Sequence, residues 1–225
     1  MSLPANKVDG SLRPVAKHRK PAGTYHHGDL REALLTEALK FIEQHGLSEL
    51  SLRDLARRLG VSPAAPYHHF ANRTELLRAL ARHGFDKLDA VMREELGRVG
   101  EIPTDRLIAL GRGYLRFAGA HPFHFRLMFR RECGPEVPPE IDPDREAFGL
   151  LRSVVIECLR YAGRASEDPT PSILAMWGGV HGLAALRLDG PLSSMGTSDE
   201  VEALCDHALR VLGLALSKRD AIASQ

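Results

Sequence analysis

The chain has 225 residues, of which 44% are hydrophobic, and its formal net charge is only +1. This length allows one large domain or two small ones, and the near balance of charge excludes a protein that binds nucleic acid through its entire surface. No apolar run approaches the ~20 residues of a membrane span, the N-terminus lacks the apolar core of a signal peptide, and the three cysteines show no metal-binding spacing. These features predict a cytoplasmic protein with reduced thiols.

Residues 1–23 carry five basic side chains against the single acid Asp9, and they contain few large apolar residues. Such a composition predicts a disordered basic arm. The arm is either a merely soluble tail or a segment that attracts phosphates and enters the DNA minor groove. Residues 1–72 together hold ten Lys and Arg against seven Asp and Glu, so positive charge is concentrated towards this end of the chain.

An amphipathic helix is predicted over residues 29–45, and two shorter helices follow it. In the first of these two, apolar residues recur at i, i+3, i+4 and i+7 from Leu52 onwards, which is the spacing of a helix packed on one side. Ser51 is a good N-cap for this helix, because its oxygen accepts from an otherwise unpaired amide of the first turn. Gly60 suits the left-handed position after the helix.

The second short helix is predicted to begin with Ser62 as its N-cap and Pro63 at the first helical position. Pro66 falls at the fourth position, where it removes a backbone N–H and disfavours the α conformation of Ala65. This helix is therefore expected to start tightly or one turn late. Two helices joined by a short turn containing Gly form a helix-turn-helix, whose second helix fits the major groove of DNA.

The rest of the chain is predicted to be helical, because no segment shows sustained strand alternation. A helix that begins near Arg73, with Asn72 as its cap, links the helix-turn-helix to the remainder. Further helices are predicted at residues 104–120, 121–129, 144–161, 172–188 and 198–216. The predicted fold class is all-α with about nine helices, three in an N-terminal helix-turn-helix domain and the others in a C-terminal helical bundle.

The last two predicted helices are apolar on more than one face. Gly178, Gly179 and Gly182 interrupt the first of them and permit close helix approach. The apolar positions of the second are Val201, Leu204, Cys205, Ala208, Leu209, Val211, Leu212, Leu214 and Leu216. A helix that is apolar on two faces must bury both, so these helices are predicted to pack against a second subunit in a homodimer.

Three segments resemble the DNA-binding domain of the TetR family of bacterial repressors: LREALLTEALKFIEQHG, LSLRDLARRLGVS and PYHHFANRTELL. The Tyr-x-His-Phe run, followed three residues on by a basic residue and then by Leu-Leu, is the most specific part of the match. Further along, MWGGVHGLAAL resembles the WHG-type C-terminal domain of one TetR subgroup. The resemblance implies a DNA-binding domain at residues 24–72 and a ligand-binding and dimerisation domain at residues 73–225, with the two C-terminal helices as the dimer interface.

The resemblance also implies roles for individual residues. Arg53 matches a position that touches a guanine in some members of the family, and its planar fork suits guanine O6 and N7; the alternative is a solvated charge. Ser51, Tyr67, His69 and Arg73 match positions that contact phosphate. The predicted DNA-binding residues are Ser51, Arg53, Ser62, Ala64, Ala65, Tyr67, His68, His69 and Arg73.

Large aromatic and Met side chains concentrate in the predicted C-terminal bundle, either as a solid core or as the lining of an apolar ligand site. In the second interpretation, polar ends from Tyr114, His121 and His181 orient a small organic molecule. The predicted ligand-binding residues are Tyr114, Phe117, His121, Phe125, Phe148, Trp177 and His181. In the resembled family, a ligand in this region moves the helix that begins near Arg73 and changes the spacing of the two recognition helices.

No catalytic constellation is found, and no carboxylate or Cys completes a zinc site with any of the histidine pairs. Neither a cofactor, a metal nor enzymatic activity is therefore predicted. The predicted function is a ligand-responsive transcriptional regulator, in the resembled family usually a repressor, that binds a near-palindromic DNA operator as a dimer. The alternative is a small-molecule binding or sequestering protein with a vestigial helix-turn-helix, which salt-dependent, sequence-selective DNA binding would distinguish.

Overall fold

The computed structural model describes residues 27–130 and 146–217, and every regular element within these ranges is helical. The α-helices are α1 (His27–His45), α2 (Leu52–Leu59), α3 (Arg73–Leu96), α4 (Pro103–Ala120), α5 (Pro122–Met128), α6 (Glu146–Tyr161), α7 (Thr170–Leu188) and α8 (Ser198–Ser217). The predicted all-α class is confirmed. The predicted basic arm at residues 1–23 lies outside the described residues, as does the predicted start of α6 at residue 144.

The predicted recognition α-helix is instead a short 3₁₀ segment, Ala65–His68, which we call the recognition turn. Its backbone bonds span three residues: the Ala65 amide donates to the Ser62 carbonyl at 3.0 Å, and the Tyr67 amide donates to Ala64 at 3.1 Å. Pro66 has no N–H to contribute to an α-helical ladder at this point. The described ranges therefore hold eight α-helices, because the ninth predicted helix is this tighter turn.

The caps of α2 and α3 form as their residue types predict. The hydroxyl oxygen of Ser51 accepts from the Asp54 amide at 3.1 Å, and the side-chain oxygen of Asn72 accepts from the Glu75 amide at 3.0 Å. Gly60 ends α2 at a φ of 67°, in the left-handed region that glycine adopts without strain. The start and end of α2 and the start of α3 are therefore determined locally.

Two hydrophobic cores organise the molecule, and α3 contributes to both. Its first half places Leu76, Leu77 and Leu80 in an N-terminal core with α1, α2 and Phe70. Its second half places Leu88 and Met92 in a C-terminal core with α4 to α8. Helix α3 is therefore the element that joins the N-terminal core to the C-terminal core.

Glycines allow α3 to approach its neighbours closely. A Cβ added to Gly113 of α4 would lie 2.9 Å from the Cα of Met92 on α3, and a Cβ added to Gly84 of α3 would lie 2.7 Å from Met128 on α5. Real side-chain atoms do not approach so closely, so α3 contacts α4 and α5 through surfaces without a side chain at these points. The same device places α4 against α8, where Gly111 faces Leu209.

Candidate DNA interface and effector site

Helix α2 carries three arginines, two of which are paired with carboxylates. Arg57 pairs with Asp54 at 2.7 Å, and Arg58 pairs with Glu37 at 3.3 Å. Arg53 is exposed, and among the described residues it has no carboxylate partner. Its guanidinium is therefore available for an external acceptor, and its fork geometry matches a guanine edge or a phosphate.

The recognition turn and the residues before it present mostly small side chains. Ser62, Ala64, Tyr67 and His68 are exposed, and Tyr67 is 46% accessible. Ala65 is half-buried. The hydroxyls and the imidazole supply hydrogen-bonding groups, whereas the alanine methyl groups suit the thymine methyl.

The other predicted DNA-binding side chains are half-buried, and Ser51 and Arg73 form hydrogen bonds within the protein. Arg73 is half-buried, and its Nη2 donates to the backbone carbonyl of Leu47 at 2.6 Å. It therefore ties the start of α3 to the connection between α1 and α2. Ser51 donates from its hydroxyl to the Asp54 carboxylate at 2.6 Å, and His69 is half-buried at the end of the recognition turn. Five of the nine predicted DNA-binding residues are exposed and four are half-buried.

Sequence reasoning missed a brace that fixes α2 against α1. The guanidinium of Arg58 lies 4.8 Å from the centre of the Phe41 ring, and its Nη2 lies 3.3 Å from Nε2 of His45. The same arginine pairs with Glu37. Residues 37, 41 and 45 recur every four positions along α1, and this helical spacing is the signal that predicts one shared face. The brace joins α2, the helix that carries Arg53, to α1.

In the C-terminal bundle, the buried Tyr114 and the half-buried His181 form a polar pair. The Tyr114 hydroxyl lies 2.8 Å from Nδ1 of His181. Burial raises the pKa of Tyr114, and a side-chain contact with Trp177 opposes this only in part. Burial also lowers the pKa of His181. Both groups are consequently neutral at neutral pH, and the pair offers a hydrogen-bonding point without charge.

Aromatic rings surround this pair. The His181 ring stacks on Phe125 at 5.0 Å between centroids and meets Phe129 edge-on at 4.7 Å. Trp177 lies 6.1 Å from Phe129 and 6.0 Å from Phe148. We call these six residues the Tyr114 cluster. Phe129 is the member that the sequence prediction omitted; its signal was the aromatic run HPFHFRLMF.

Phe117 and His121, also predicted to bind ligand, belong to a different group of rings. Phe117 is fully buried, at 0% exposure, and its ring lies 5.4 Å from His121. His121 in turn meets His124 at 5.8 Å, and His124 meets His83 of α3 at 5.4 Å. The predicted ligand residues are thus divided between the Tyr114 cluster and a histidine group beside α3.

An exposed apolar surface covers one side of α7 and α8. Its large members are between 45% and 56% exposed and comprise Leu174, Leu186, Leu204, Val211 and Leu214. Gly178 and Gly182 lie on α7 together with Leu174 and Leu186, and they have no side chain that would block close approach. We call this surface the α7–α8 face. Large apolar side chains exposed together on neighbouring helices are typical of a protein contact.

In the described residues, no group of three or more His, Cys, Asp or Glu side chains is placed to hold a metal ion. In the same ranges, no helix is long and apolar enough to span a bilayer.

Comparison with known proteins relates both halves of the chain to one family. The sequence profile described as bacterial regulatory proteins, tetR family, matches residues 34–80, and the profile described as tetracyclin repressor-like, C-terminal domain, matches residues 107–212. The second match includes the MWGGVHGLAAL segment. The two matches together extend from α1 to α8.

Individual relatives agree with this result. An uncharacterized HTH-type transcriptional regulator of Mycobacterium tuberculosis, Rv0681, is 25% identical over 167 residues, which is 74% of each protein. The tetracycline repressor protein class C of Escherichia coli is 47% identical over 51 residues, 23% of each protein. A solved structure of a Rhodococcus sp. RHA1 protein of unknown function superposes with a TM-score of 0.70 at 33% identity, covering 85% of this chain and all of that one.

Proposed function

The chain belongs to the TetR family of bacterial transcriptional regulators, and from this membership we propose that it is a cytoplasmic repressor that binds a near-palindromic operator as a homodimer. A small organic effector bound in the C-terminal bundle would release the protein from DNA. The observation that carries the proposal is the exposed Arg53, without a carboxylate partner in the described ranges, beside an exposed recognition turn.

Selection of bound sites from random duplex DNA by the purified protein tests this function. Recovery of an enriched, two-fold symmetric sequence, with half-site centres about 34 Å apart or a multiple of that distance, would support it. Binding that is independent of sequence at every salt concentration would instead favour a small-molecule binding protein with a vestigial helix-turn-helix.

Arg53→Ala should weaken operator binding by roughly 1–3 kcal/mol and relax the preference at one base pair of each half-site, because a bidentate base contact is lost. Tyr67→Phe should weaken binding to all sequences alike, since a phosphate contact positions the protein without specifying bases. Repeating the site selection with each variant measures both effects. Arg57→Ala is the matched control on the same helix, because Arg57 already pairs with Asp54. An unchanged base preference in Arg53→Ala would show that α2 does not read bases.

The homodimer is proposed to form through the α7–α8 face. Two copies related by a two-fold axis would bring four helices together and cover the exposed leucines and Val211 of both. A dimer is also what a near-palindromic operator requires, because each half-site takes one recognition turn.

The effector is proposed to bind at the Tyr114 cluster. The cluster combines aromatic surfaces with one neutral polar pair, the composition expected for a site that takes an uncharged organic molecule. Tyr114 lies on α4 and His181 on α7, so a molecule placed between them would change the packing of α4, which contacts α3.

Tyr114→Phe should leave operator affinity without effector unchanged, because the ring and its packing on Phe125 remain. The variant should require a different effector concentration for release, since the hydroxyl that contacts His181 is lost. A compound is first identified by screening uncharged organic molecules for release of the wild-type protein from a fluorescent operator. Tyr161→Phe is the control, because Tyr161 is 76% exposed at the end of α6. Identical release curves for wild type and Tyr114→Phe would place the effector elsewhere.

A further inference from the structure

Three histidines meet at the joint between α3 and α5. His124 of α5 is 94% buried, being 6% exposed, and its ring contacts His83 of α3 and His121 at the start of α5. Nε2 of His124 and Nδ1 of His83 are buried without a hydrogen-bond partner. Neither nitrogen is therefore held by a hydrogen bond in this arrangement.

The charged groups near the three rings are cationic. Lys87 lies one turn after His83 on α3, and its charge opposes protonation of both His121 and His124. Of the acids on or beside these helices, Asp86 of α3 is exposed, and Asp189 pairs with Arg126 of α5 at 2.9 Å.

Several charged residues of the other adjoining helices pair with one another. Arg116 of α4 pairs with Glu94 and Glu95 of α3. On α1, Arg31 pairs with Glu32 and Glu37 pairs with Arg58. A proton taken up by the histidine group thus meets repulsion without a compensating carboxylate, which is the situation in which a buried imidazole stays neutral.

The joint is closely packed and links both cores. Gly84 of α3 lies against Met128 and His124 of α5, with no room for a side chain. Leu127 of α5 belongs to the N-terminal core, whereas Phe125 and Met128 belong to the C-terminal core. Separation of α5 from α3 would therefore loosen α1, α2 and the recognition turn from the bundle.

We propose that His83, His121 and His124 form a protonation switch that keeps α5 closed on α3 when neutral and releases it in acid, so that operator binding weakens as pH falls. The inference rests on the proposed function for its effect on DNA, although the opening of the joint is measurable without DNA. The mechanism requires only a proton and two states of the α3–α5 contact, one closed and one open. It would control operator binding in addition to an effector.

The direction and size of the pH effect on the opening equilibrium follow from the linkage between protonation and opening. Burial, followed by the charges of His83, His121 and Lys87, lowers the pKa of His124 to about 4 in the closed joint, whereas a solvated histidine titrates near ~6.5. The open form then binds more protons than the closed form below that value. Closure is fully favoured above about pH 6.5 and is lost progressively as the pH falls towards 4; at pH 5.5 the opening equilibrium is shifted roughly tenfold relative to pH 7.5.

Amide hydrogen exchange of the full-length protein at pH 7.5 and pH 5.5 tests the switch without DNA. After correction for the intrinsic pH dependence of exchange, protection of the α5 amides should fall roughly tenfold in the wild type. Protection in α8 should change far less, since this helix packs on α4, α6 and α7 rather than on α5. In His124→Phe, which keeps a ring but cannot be protonated, α5 protection should be nearly independent of pH. Equal pH dependence of α5 in both proteins would overturn the proposal.

Two further measurements keep the test decisive. If His124→Phe does not fold, Lys87→Met serves instead, because removing the fixed charge makes protonation of the closed joint easier and should flatten the pH response. Operator affinity should fall more between pH 7.5 and 5.5 in the wild type than in the variant, whereas an effect of pH on the DNA contacts themselves would be equal in both. A pH-dependent joint in a protein that selects no operator would refute the proposed function alone, and operator binding with no difference between wild type and variants would refute the switch alone.

Discussion

Val211→Glu should convert the protein from a dimer to a monomer and abolish operator binding, although the substitution lies far along the chain from Arg53. Val211 is 55% exposed in the single subunit, so the isolated fold tolerates a charge there. In the proposed dimer, the two-fold axis places two uncompensated carboxylates in an apolar contact, each costing about 3–5 kcal/mol. The dimer dissociation constant should therefore rise by more than about a thousandfold.

Sedimentation equilibrium and operator binding measure this result, and the chain provides an informative contrast two residues away. Leu209 is only 5% exposed and lies against Gly111 within the same subunit. Leu209→Glu should therefore unfold the subunit, whereas Val211→Glu should retain the circular dichroism of the wild type. Val211→Ala, which adds no charge, should remain dimeric. A dimeric Val211→Glu protein that still binds operator would show that α8 is not at the interface.

Phe117→Ala should lower the free energy of unfolding by about 3–5 kcal/mol, because the site is fully buried and the removed ring leaves a cavity. For a chain of this length, that loss corresponds to a fall in Tm of roughly 6–20 °C. Phe117 was predicted from sequence to line the effector site, and for such a residue a change in effector response with little loss of stability is expected. Its contact with the ring of His121, and its place in the C-terminal core, favour the structural role.

Urea unfolding monitored by circular dichroism measures the loss in Phe117→Ala. Phe117→Leu is the matched control, since it retains much of the volume and should lose less than half as much stability. Phe148→Ala is a second comparison, because Phe148 is half-buried in the Tyr114 cluster. An unchanged unfolding midpoint in Phe117→Ala, together with an altered effector response, would restore Phe117 to the ligand site.

The helical class and the limits of α2 could be predicted from the sequence because they depend on neighbours along the chain. Ser51, Gly60 and Asn72 act through bonds and backbone angles within a few residues, and each behaves as its residue type predicts. Pro66 also acts locally. Its missing N–H explains why the recognition element is a 3₁₀ turn, and the sequence indicated the disturbance without deciding between a tight and a late start.

The packing of the apolar faces of α8 could not be predicted from the sequence. The repeat of Leu, Val and Ala indicated two apolar faces, but it did not say which face is used within the subunit. Leu209 and Leu212 were natural choices for the dimer contact. The structure places Leu209 against Gly111 and Leu212 against Gly179, and it leaves Leu204, Val211 and Leu214 exposed. Only the position of α8 relative to α4 and α7 distinguishes the faces, and many distant contacts set that position.

The sequence by itself determined the all-helical class and the helix-turn-helix, because caps, turns and apolar periodicity are encoded within short windows of the chain. The family followed from the resemblance of its motifs. The tertiary structure alone decided which aromatic residues surround Tyr114, which histidines meet at the α3–α5 joint, and how Arg58 braces α2. Tyr114 and His181 are 67 residues apart in the chain, and Arg58 and Glu37 are 21 apart. Contacts of that kind depend on how packed helices cross, and the crossing is set by the sum of side-chain volumes at each interface rather than by any local pattern.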